Sequence, residues 1–195
     1  YWESGFNKDQ VNDIELIRDH NFRAMYGAWD VLKNVDNMYP KHRLGWVAFI
    51  AGKRESRRLM GDVVLDAEDF KKQRKFEDGA FPCSWHVDLH TPKKEFKEGF
   101  ENMEFVSDYT RGEEYQYGGE YWAPYRTLYS RNIKNLFMAG RCISVTKSGL
   151  GPVRVMKTCA MMGEVVGKAA SVCIKNNVSP REVYSKHLTK LQALL

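Results

Sequence analysis

The sequence has few of the features that mark disulfide-bonded, membrane-spanning or nucleic-acid-binding proteins. Its four cysteines form no Cys-x-x-Cys pair and show no regular spacing, so we interpret them as buried thiols rather than a disulfide framework. No apolar run approaches the roughly 20 residues of a membrane span. The 30 basic residues are interleaved with 25 acidic ones, so the net charge of +5 gives no reason to expect a nucleic-acid partner.

Two further absences bear on function. The sequence begins at Tyr1 without an initiator methionine or an apolar leader, which we interpret as a cut within a longer polypeptide, and the compartment is left open. It also lacks the Gly-x-Gly-x-x-Gly turn with which dinucleotide-binding folds hold a pyrophosphate. Any nucleotide cofactor would therefore depend on a second part of the protein for that group.

What is present near the end of the chain points to such a cofactor. A buried-strand pattern over residues 135–139 ends at Gly140-Arg141, and the turn Gly149-Leu-Gly-Pro152 leads into a helical pattern from Val153 to about Lys175. This order is typical of the closing strand and last helix of a flavin-binding fold. We therefore expect the chain to be the C-terminal portion of an enzyme.

The predicted helix has two features that would suit a flavin. Its small residues recur at helical spacing and would let its backbone approach a sheet closely. Backbone N–H groups at its start would point outward, where the helix dipole favours an anion such as the N1–C2=O edge of a reduced flavin. An ordinary strand, turn and helix that bind nothing would give the same pattern, and the residues alone leave both open. The small residues are Ala160, Gly163, Gly167 and Ala170.

The patterns along the chain predict an α+β (mixed α/β) fold, with helices packed on a mixed, largely antiparallel sheet. Helices are expected over residues 9–37, from Ala67 with Asp66 as its N-cap, and from Ser179-Pro180 to Leu194. The remaining expectations are strands at 44–51, 63–65, 84–89, 120–128 and 135–139, a turn at 79–82 and a strand-loop-strand over 101–120.

Several stretches resemble, in order, the C-terminal signature of a bacterial family of FAD-dependent oxidoreductases. The strongest are residues 130–144, 151–156 and 158–167, and weaker ones are 54–58, Gly61-Asp62, 84–90 and 124–126. The resemblance implies that FAD binds in the full-length parent, with the loop and helix start after Ala139-Gly-Arg141 closing over the flavin. Some members carry a xanthan-lyase label, which suggests carbohydrate. The cofactor contacts it implies are Gly140, Arg141, Gly149, Leu150, Gly151, Val153 and Arg154.

The resemblance also implies a division of the chain. Residues 1–130 would be the substrate-side helix and sheet region, and residues 131–195 the C-terminal strand and helices of the FAD-binding fold, with the dinucleotide-binding half of the protein missing. The isolated chain would then bind FAD weakly or not at all, and would be inactive alone.

Four residues are candidates for catalysis. Alternation along His86-Val-Asp-Leu-His90 places His86, Asp88 and His90 on one strand face, where Asp88 and His90 could exchange a proton with substrate, or the face could simply meet water. Arg126 is a candidate substrate anchor, with ordinary sheet pairing as its alternative. Lys147 stands where the family usually has a histidine, so the histidine's role is not transferred. It could stabilise an anionic flavin or substrate, or face solvent in a loop.

Two other groups have a structural explanation as well as a functional one. Arg54, Arg57 and Arg58 could clamp an anion, but an ion-pair network that fixes a loop is favoured. The tyrosines between residues 109 and 125, with Trp122, could stack on sugars, although a core or an interface is the more common use.

The sequence therefore predicts a fragment of an FAD-dependent oxidoreductase that moves a hydride or electron pair from a small organic substrate, carbohydrate-related compounds included, to flavin. Its partners would be that substrate and the missing N-terminal half. Two alternatives remain: a non-catalytic carbohydrate-binding module, and a metal-dependent hydrolase or lyase that uses His86, Asp88 and His90.

Overall fold

The computed structural model describes residues 2–4, 8–52, 57–90, 107–109 and 112–195. Its helices are α1 (Ile14–Asp30), α2 (Ala67–Lys71), α3 (Leu150–Val153), α4 (Met156–Asn176) and α5 (Pro180–Gln192). Its strands are β1 (Trp2–Ser4), β2 (Gly79–Cys83), β3 (Val87–His90), β4 (Ser107–Tyr109), β5 (Gly112–Tyr115) and β6 (Tyr121–Pro124). The α+β class is confirmed, and the strands of the described ranges pair as β1–β4, β2–β6 and β3–β5.

The chain divides into two compact units, and the first comprises residues 1–56 and 90–112. In its described part α1 continues into a π-helical turn, Val31–Val35, which confirms the long helix predicted between residues 9 and 37. The strand predicted at 44–51 is wrong, because this segment has irregular backbone. Its apolar side chains are largely exposed, Trp46 at 83%, so the apolar run reflects neither a strand nor a core.

The second unit comprises residues 57–89 and 113–195 and contains most of the buried side chains. The helix α4 packs on α5 and on β2, and β2 pairs antiparallel with β6. The largest fully buried side chains of this unit include Tyr125, Tyr129, Phe70 and Phe81. The division by packing does not coincide with the functional boundary predicted at residue 130, because residues 57–89 and 113–130 pack with residues 131–195. The functional boundary stays a prediction.

The turn predicted at residues 79–82 is wrong, because Gly79–Cys83 forms the strand β2. Pro82 pairs with Trp122, and the register shifts between Gly79 and Phe81. A proline is tolerated here because each strand of a two-stranded sheet has an edge where no donor is needed. The strand predicted at 120–128 is shorter than expected. It ends at Pro124, and a 3-10 turn follows.

The short strand predicted at 63–65 and the buried strand predicted at 135–139 are each reduced to a single bridge. Leu65 pairs in parallel with Val145, and Phe137 pairs in antiparallel with Tyr129. Backbone hydrogen bonds from Met138 to Leu128 (2.7 Å) and from Ser130 to Leu136 (3.0 Å) hold the second segment. A continuous strand needs a partner along its whole length, and the described residues supply one only at these points.

The predicted long helix begins at Met156 rather than at Val153, since Arg154 and Val155 interrupt it after the short helix α3. The small-residue stripe also lies differently from expectation. Ala160, Gly163 and Gly167 are exposed, and no heavy atom lies within 4 Å of a Cβ built on either glycine. The buried face of α4 consists mostly of larger residues, together with one alanine: Thr158, Met162, Val165, Ala169 and Val172.

Both predicted N-caps are confirmed. The Asp66 side chain accepts the Glu68 N–H, and Asp69 accepts the Asp66 N–H in return. At the start of α5, the Ser179 N–H and hydroxyl both donate to Glu182, and Pro180 occupies the first turn. Reciprocal bonds of this kind satisfy N–H groups that a helix start leaves without intrahelical partners.

The cysteines differ in exposure more than the sequence indicates. Cys83 is buried, and its burial raises the pKa of the thiol to about 12. Cys142 is exposed, which corrects the expectation of four buried thiols, and Cys159 and Cys173 are intermediate.

No helix among the described residues is long and apolar enough to cross a bilayer.

The α5 cap predicts a specific acid sensitivity. The hydrogen bond to Lys186, followed by those to Ser179, lowers the pKa of Glu182 to about 2. A carboxyl whose folded pKa is depressed stabilises the fold above its unfolded pKa of about 4.3, and this stability is lost as the pH falls through 2. We expect Glu182→Gln to lower the melting temperature at pH 6, and the gap from the unmodified chain to close by pH 2. An equal gap at both pH values, measured by circular dichroism, would contradict this.

Candidate functional site

Residues 145–154 lie between the predicted flavin strand at 135–139 and α4. Asp66 fixes the first half of this segment. The Asp66 carboxylate Oδ2 accepts the Thr146 hydroxyl at 2.6 Å and the Ser148 hydroxyl at 3.0 Å. The same carboxylate caps α2, and the backbone bond from Glu68 is the largest of several contacts that lower the pKa of Asp66. One side chain thus joins the start of α2 to the turn that precedes α3.

Steric limits fix the second half of this segment. A Cβ on Gly149 would lie 2.6 Å from the Leu65 carbonyl oxygen, and a Cβ on Gly151 would lie 2.8 Å from the Asp88 nitrogen. Distances under 3.0 Å to backbone atoms leave no space for a side chain. Close packing therefore requires both glycines. Gly149 packs against Leu65, just before α2, and Gly151 packs against Asp88 on β3. All four residues of α3 are buried between these contacts.

An ion pair joins two residues that the sequence assigns to different sides of the site. Arg154, predicted to touch cofactor, donates from Nη2 to the Asp88 carboxylate at 3.0 Å and to the Asp88 carbonyl at 3.2 Å. Their side chains are only 8% and 15% exposed. A guanidinium held by two oxygens in a shielded position has a defined orientation and a strong local charge. The structure thus brings Asp88, Gly151 and Arg154 together.

The backbone N–H groups expected to point outward are partly used within the loop. The Gly149 N–H donates to the Thr146 hydroxyl, and the Leu150 N–H donates to the Thr146 carbonyl, both at 3.1 Å. The long helix starts later, at Met156, whose side chain is 89% exposed. The first turn of α4 contains no acidic residue, so the positive end of the 21-residue helix dipole is not neutralised from within the turn.

Gly140 and Arg141 lie in a 3-10 turn against α4. The Gly140 N–H donates to the Met162 sulfur at 3.2 Å, which places the turn near the second turn of the helix. Gly140 has a φ of +74°, and no heavy atom lies within 4 Å of a Cβ built there. Arg141 is exposed. Burial raises the pKa of the Cys159 thiol, and the positive charge of Arg141 lowers it in part. Both predicted cofactor contacts therefore border the N-terminal part of α4.

The remaining catalytic candidates do not share one location. Lys147 is exposed in the turn between Thr146 and Ser148. His90 is the last residue of β3, partly buried, and belongs to the first unit, whereas Asp88 belongs to the second. His86, which the sequence groups with both, lies 3.3 Å from Glu114 across the β3–β5 pair.

Arg126 is held by an ion pair with Asp78, a carboxylate with no exposed surface. Its Nε and Nη2 donate to the two Asp78 oxygens at 2.9 and 2.8 Å, and its backbone N–H donates to the same carboxylate. The hydrogen bond to Asp78 raises the pKa of Arg126 above the usual arginine range. The ring of Tyr184 lies 4.5 Å from the guanidinium. The remaining side of Arg126 borders a polar cleft with Asp62, Arg74, Lys75 and Glu77.

Where residues are described, the structure also gives the exposure of the arginine group at 54–58 and of the aromatic stretch at 109–125. Arg54 lies outside the described residues, and Arg57 and Arg58 lie on non-helical backbone, with Arg57 exposed. Of the aromatic stretch, Tyr117, Tyr121 and Tyr125 are buried in the core, whereas Trp122 is 50% exposed. The described tyrosines therefore serve mainly as core residues, and Tyr109 has no described side chain.

Sequence reasoning missed the residues that hold the candidates in place. Asp78 and Glu114 carried no motif, and Asp66 was recognised only as a helix cap. For Asp66 a signal existed, because its capping carboxylate retains acceptor sites after binding one N–H. No local pattern links Asp78 to Arg126 or Glu114 to His86, since 48 residues separate the first pair.

The family described as FAD dependent oxidoreductase matches residues 5–195. No curated protein and no solved structure matches the chain.

The packing of the turn predicts which glycines tolerate a side chain. Gly149→Ala should lower the free energy of unfolding by about 1–3 kcal/mol, because the new Cβ overlaps fixed backbone. Gly163→Ala, on the exposed face of α4, should instead raise it by up to about 1 kcal/mol through helix propensity. Urea denaturation of the two variants measures the difference, and equal shifts would show that the turn is not tightly packed.

The Asp78–Arg126 pair predicts a large loss of stability on truncation. Arg126→Ala should cost about 3–5 kcal/mol, because it leaves the Asp78 charge buried without a partner. Arg141→Ala, which truncates an exposed arginine, should stay within about 0.5 kcal/mol of the unmodified chain. Arg126→Ala combined with Asp78→Ala should recover part of the loss. A single Arg126→Ala variant as stable as Arg141→Ala would rule out a structural role.

Proposed function

Since the chain belongs to the FAD-dependent oxidoreductase family, its role is a redox role in general, and we propose that it forms the part of the enzyme that borders the reacting ring of FAD. The observation that carries this proposal is the start of α4. An exposed helix N-terminus without acidic residues follows directly after Arg154, whose guanidinium is oriented by Asp88. The helix dipole supplies positive potential there, and the guanidinium adds N–H donors of fixed orientation.

The described residues fit one end of FAD better than the other. An isoalloxazine ring that gains negative charge at N1–C2=O would be stabilised by a helix N-terminus. Gly140 leaves open space beside α4 for a flat ring. The pyrophosphate, by contrast, has no Gly-x-Gly-x-x-Gly turn in the sequence to hold it.

We therefore propose that polypeptide outside these 195 residues supplies the pyrophosphate site. The exposed small-residue face of α4 supports this. Ala160, Gly163 and Gly167 would let another element approach the helix backbone closely, and glycine in an exposed helix otherwise costs about 1 kcal/mol relative to alanine. On this proposal the 195-residue chain alone binds FAD weakly or not at all and is inactive.

When bound, FAD would accept a hydride or electron pair from a small organic substrate, carbohydrate-related compounds included. The residues of this chain would hold and orient. Asp88 fixes Arg154 and so acts as a positioning residue, and Arg126 has a similar fixed position through Asp78. His90 and Lys147 remain proposed contacts on the substrate side, where an imidazole can move a proton and an ammonium group can pair with an anion.

The proposal is tested by comparing the absorption spectra of this chain and of a longer product of the same gene that includes the region upstream of Tyr1. The longer product should be yellow and the 195-residue chain colourless after identical purification. In the longer product, Arg154→Gln should slow flavin reduction by substrate, whereas Arg23→Gln, at an exposed arginine of α1, should change it less.

Two results would contradict this proposal. A folded longer product that stays colourless after added FAD would refute the flavin assignment. Tight stoichiometric FAD binding by residues 1–195 alone would refute the proposed division of the site.

A further inference from the structure

A second cluster of polar side chains lies between β3 and β5 in the second unit. His86 immediately precedes β3, Asp88 lies on it, and Glu114 lies on the paired strand β5. One ligand atom from each of the three lies within 4.8 Å of the other two. Residues 86 and 88 share a strand face because side chains alternate, and pairing brings residue 114 to the same place.

We propose that His86, Asp88 and Glu114 bind a divalent first-row metal ion. An imidazole nitrogen and two carboxylate oxygens are the donors that Zn²⁺ and Mn²⁺ accept in proteins. The site differs from the one the sequence suggests, since Glu114 takes the place of His90. It does not depend on the proposed binding of FAD.

The cluster can close around an ion if one side chain moves. Ligand atoms about 2.1 Å from a tetrahedrally bound ion are about 3.4 Å apart, so separations of up to 4.8 Å must shorten by up to about 1.4 Å. The side chain of Glu114 is 57% exposed and can turn inward without disturbing the core. His86 and Asp88 are shielded and fixed, at 15% side-chain exposure each.

The imidazole of His86 gives an independent indication. Its Nε2 atom is buried and makes no hydrogen bond within the part of the chain that the structure describes. The Glu114 carboxylate lies 3.3 Å from this nitrogen without meeting hydrogen-bond geometry. Buried nitrogen atoms in this condition are uncommon and call for an explanation, of which a bound ion is one.

The charges agree with a divalent cation. Asp88 and Glu114 each contribute one negative charge, and Arg154 compensates that of Asp88, so the cluster keeps a net negative charge that attracts a cation. Arg154 binds Oδ2 of Asp88 and orients this carboxylate, as outer-shell partners do for metal ligands. Bound metal would cross-link β3 to β5 and hold Asp88, and through it Arg154, at the start of α4.

The test uses the tag-free 195-residue chain, stripped with a chelator and titrated with Mn²⁺ and separately with Zn²⁺ by isothermal calorimetry. We expect saturable binding of one ion per chain, accompanied by a rise in the melting temperature because the ion binds the folded state. Glu114→Gln and His86→Ala should each weaken binding by about tenfold or more. Glu120→Gln, an exposed carboxylate on the loop after β5, should leave the affinity unchanged.

Several outcomes would overturn the proposal. These are no saturable binding of either ion, binding that survives Glu114→Gln and His86→Ala, and Zn²⁺ binding that is lost only in Cys142→Ser. Because Glu114 is exposed, Glu114→Gln should fold normally, which circular dichroism verifies. That variant decides the question even if His86→Ala proves unstable.

Discussion

The close approach of two glycines to neighbouring backbone is the constraint on which the rest of the site depends. Gly149 packs on Leu65, and Gly151 packs on β3, so the turn between them has a single position. Asp66 holds the preceding hydroxyls, and Arg154 binds Asp88 directly afterwards. The start of α4 is thereby fixed relative to both α2 and β3, although neither element is adjacent to it in sequence.

The positive potential at the start of α4 comes from the helix dipole. Arg154 lies at the same end of the helix, and Asp88 on β3 compensates the charge of its guanidinium. Shielded ion pairs are costly to assemble and are weak evidence of stability, so their value here is orientation. The same carboxylate belongs to the cluster with His86 and Glu114, which links the β3–β5 pair to the helix start.

The sequence predicts best where local chemistry decides the structure. The caps at Asp66 and Ser179, the helix that follows each and the long helix near residues 14–35 are all local in origin, and each is confirmed. The sequence predicts worst where the structure of a segment depends on which distant segment packs against it. The apolar run at 135–139 needed a neighbouring strand, and among the described residues it has one bridge, Phe137 to Tyr129. The stripe at Gly163 shows the same limit, because periodicity identifies a face but not what covers it. For the candidate site, the sequence identified Asp88 and Arg154 separately, and only the fold pairs them.

The account is tested most directly by a crystal structure of the FAD-loaded longer gene product. It predicts that the N1–C2=O edge of the flavin ring lies at the first turn of α4, beside Gly140, with the Asp88–Arg154 pair retained. It also predicts that the pyrophosphate lies on residues outside the 195 described by this sequence. A ring bound away from α4, or an Arg154 released from Asp88 to hold the pyrophosphate, would contradict it.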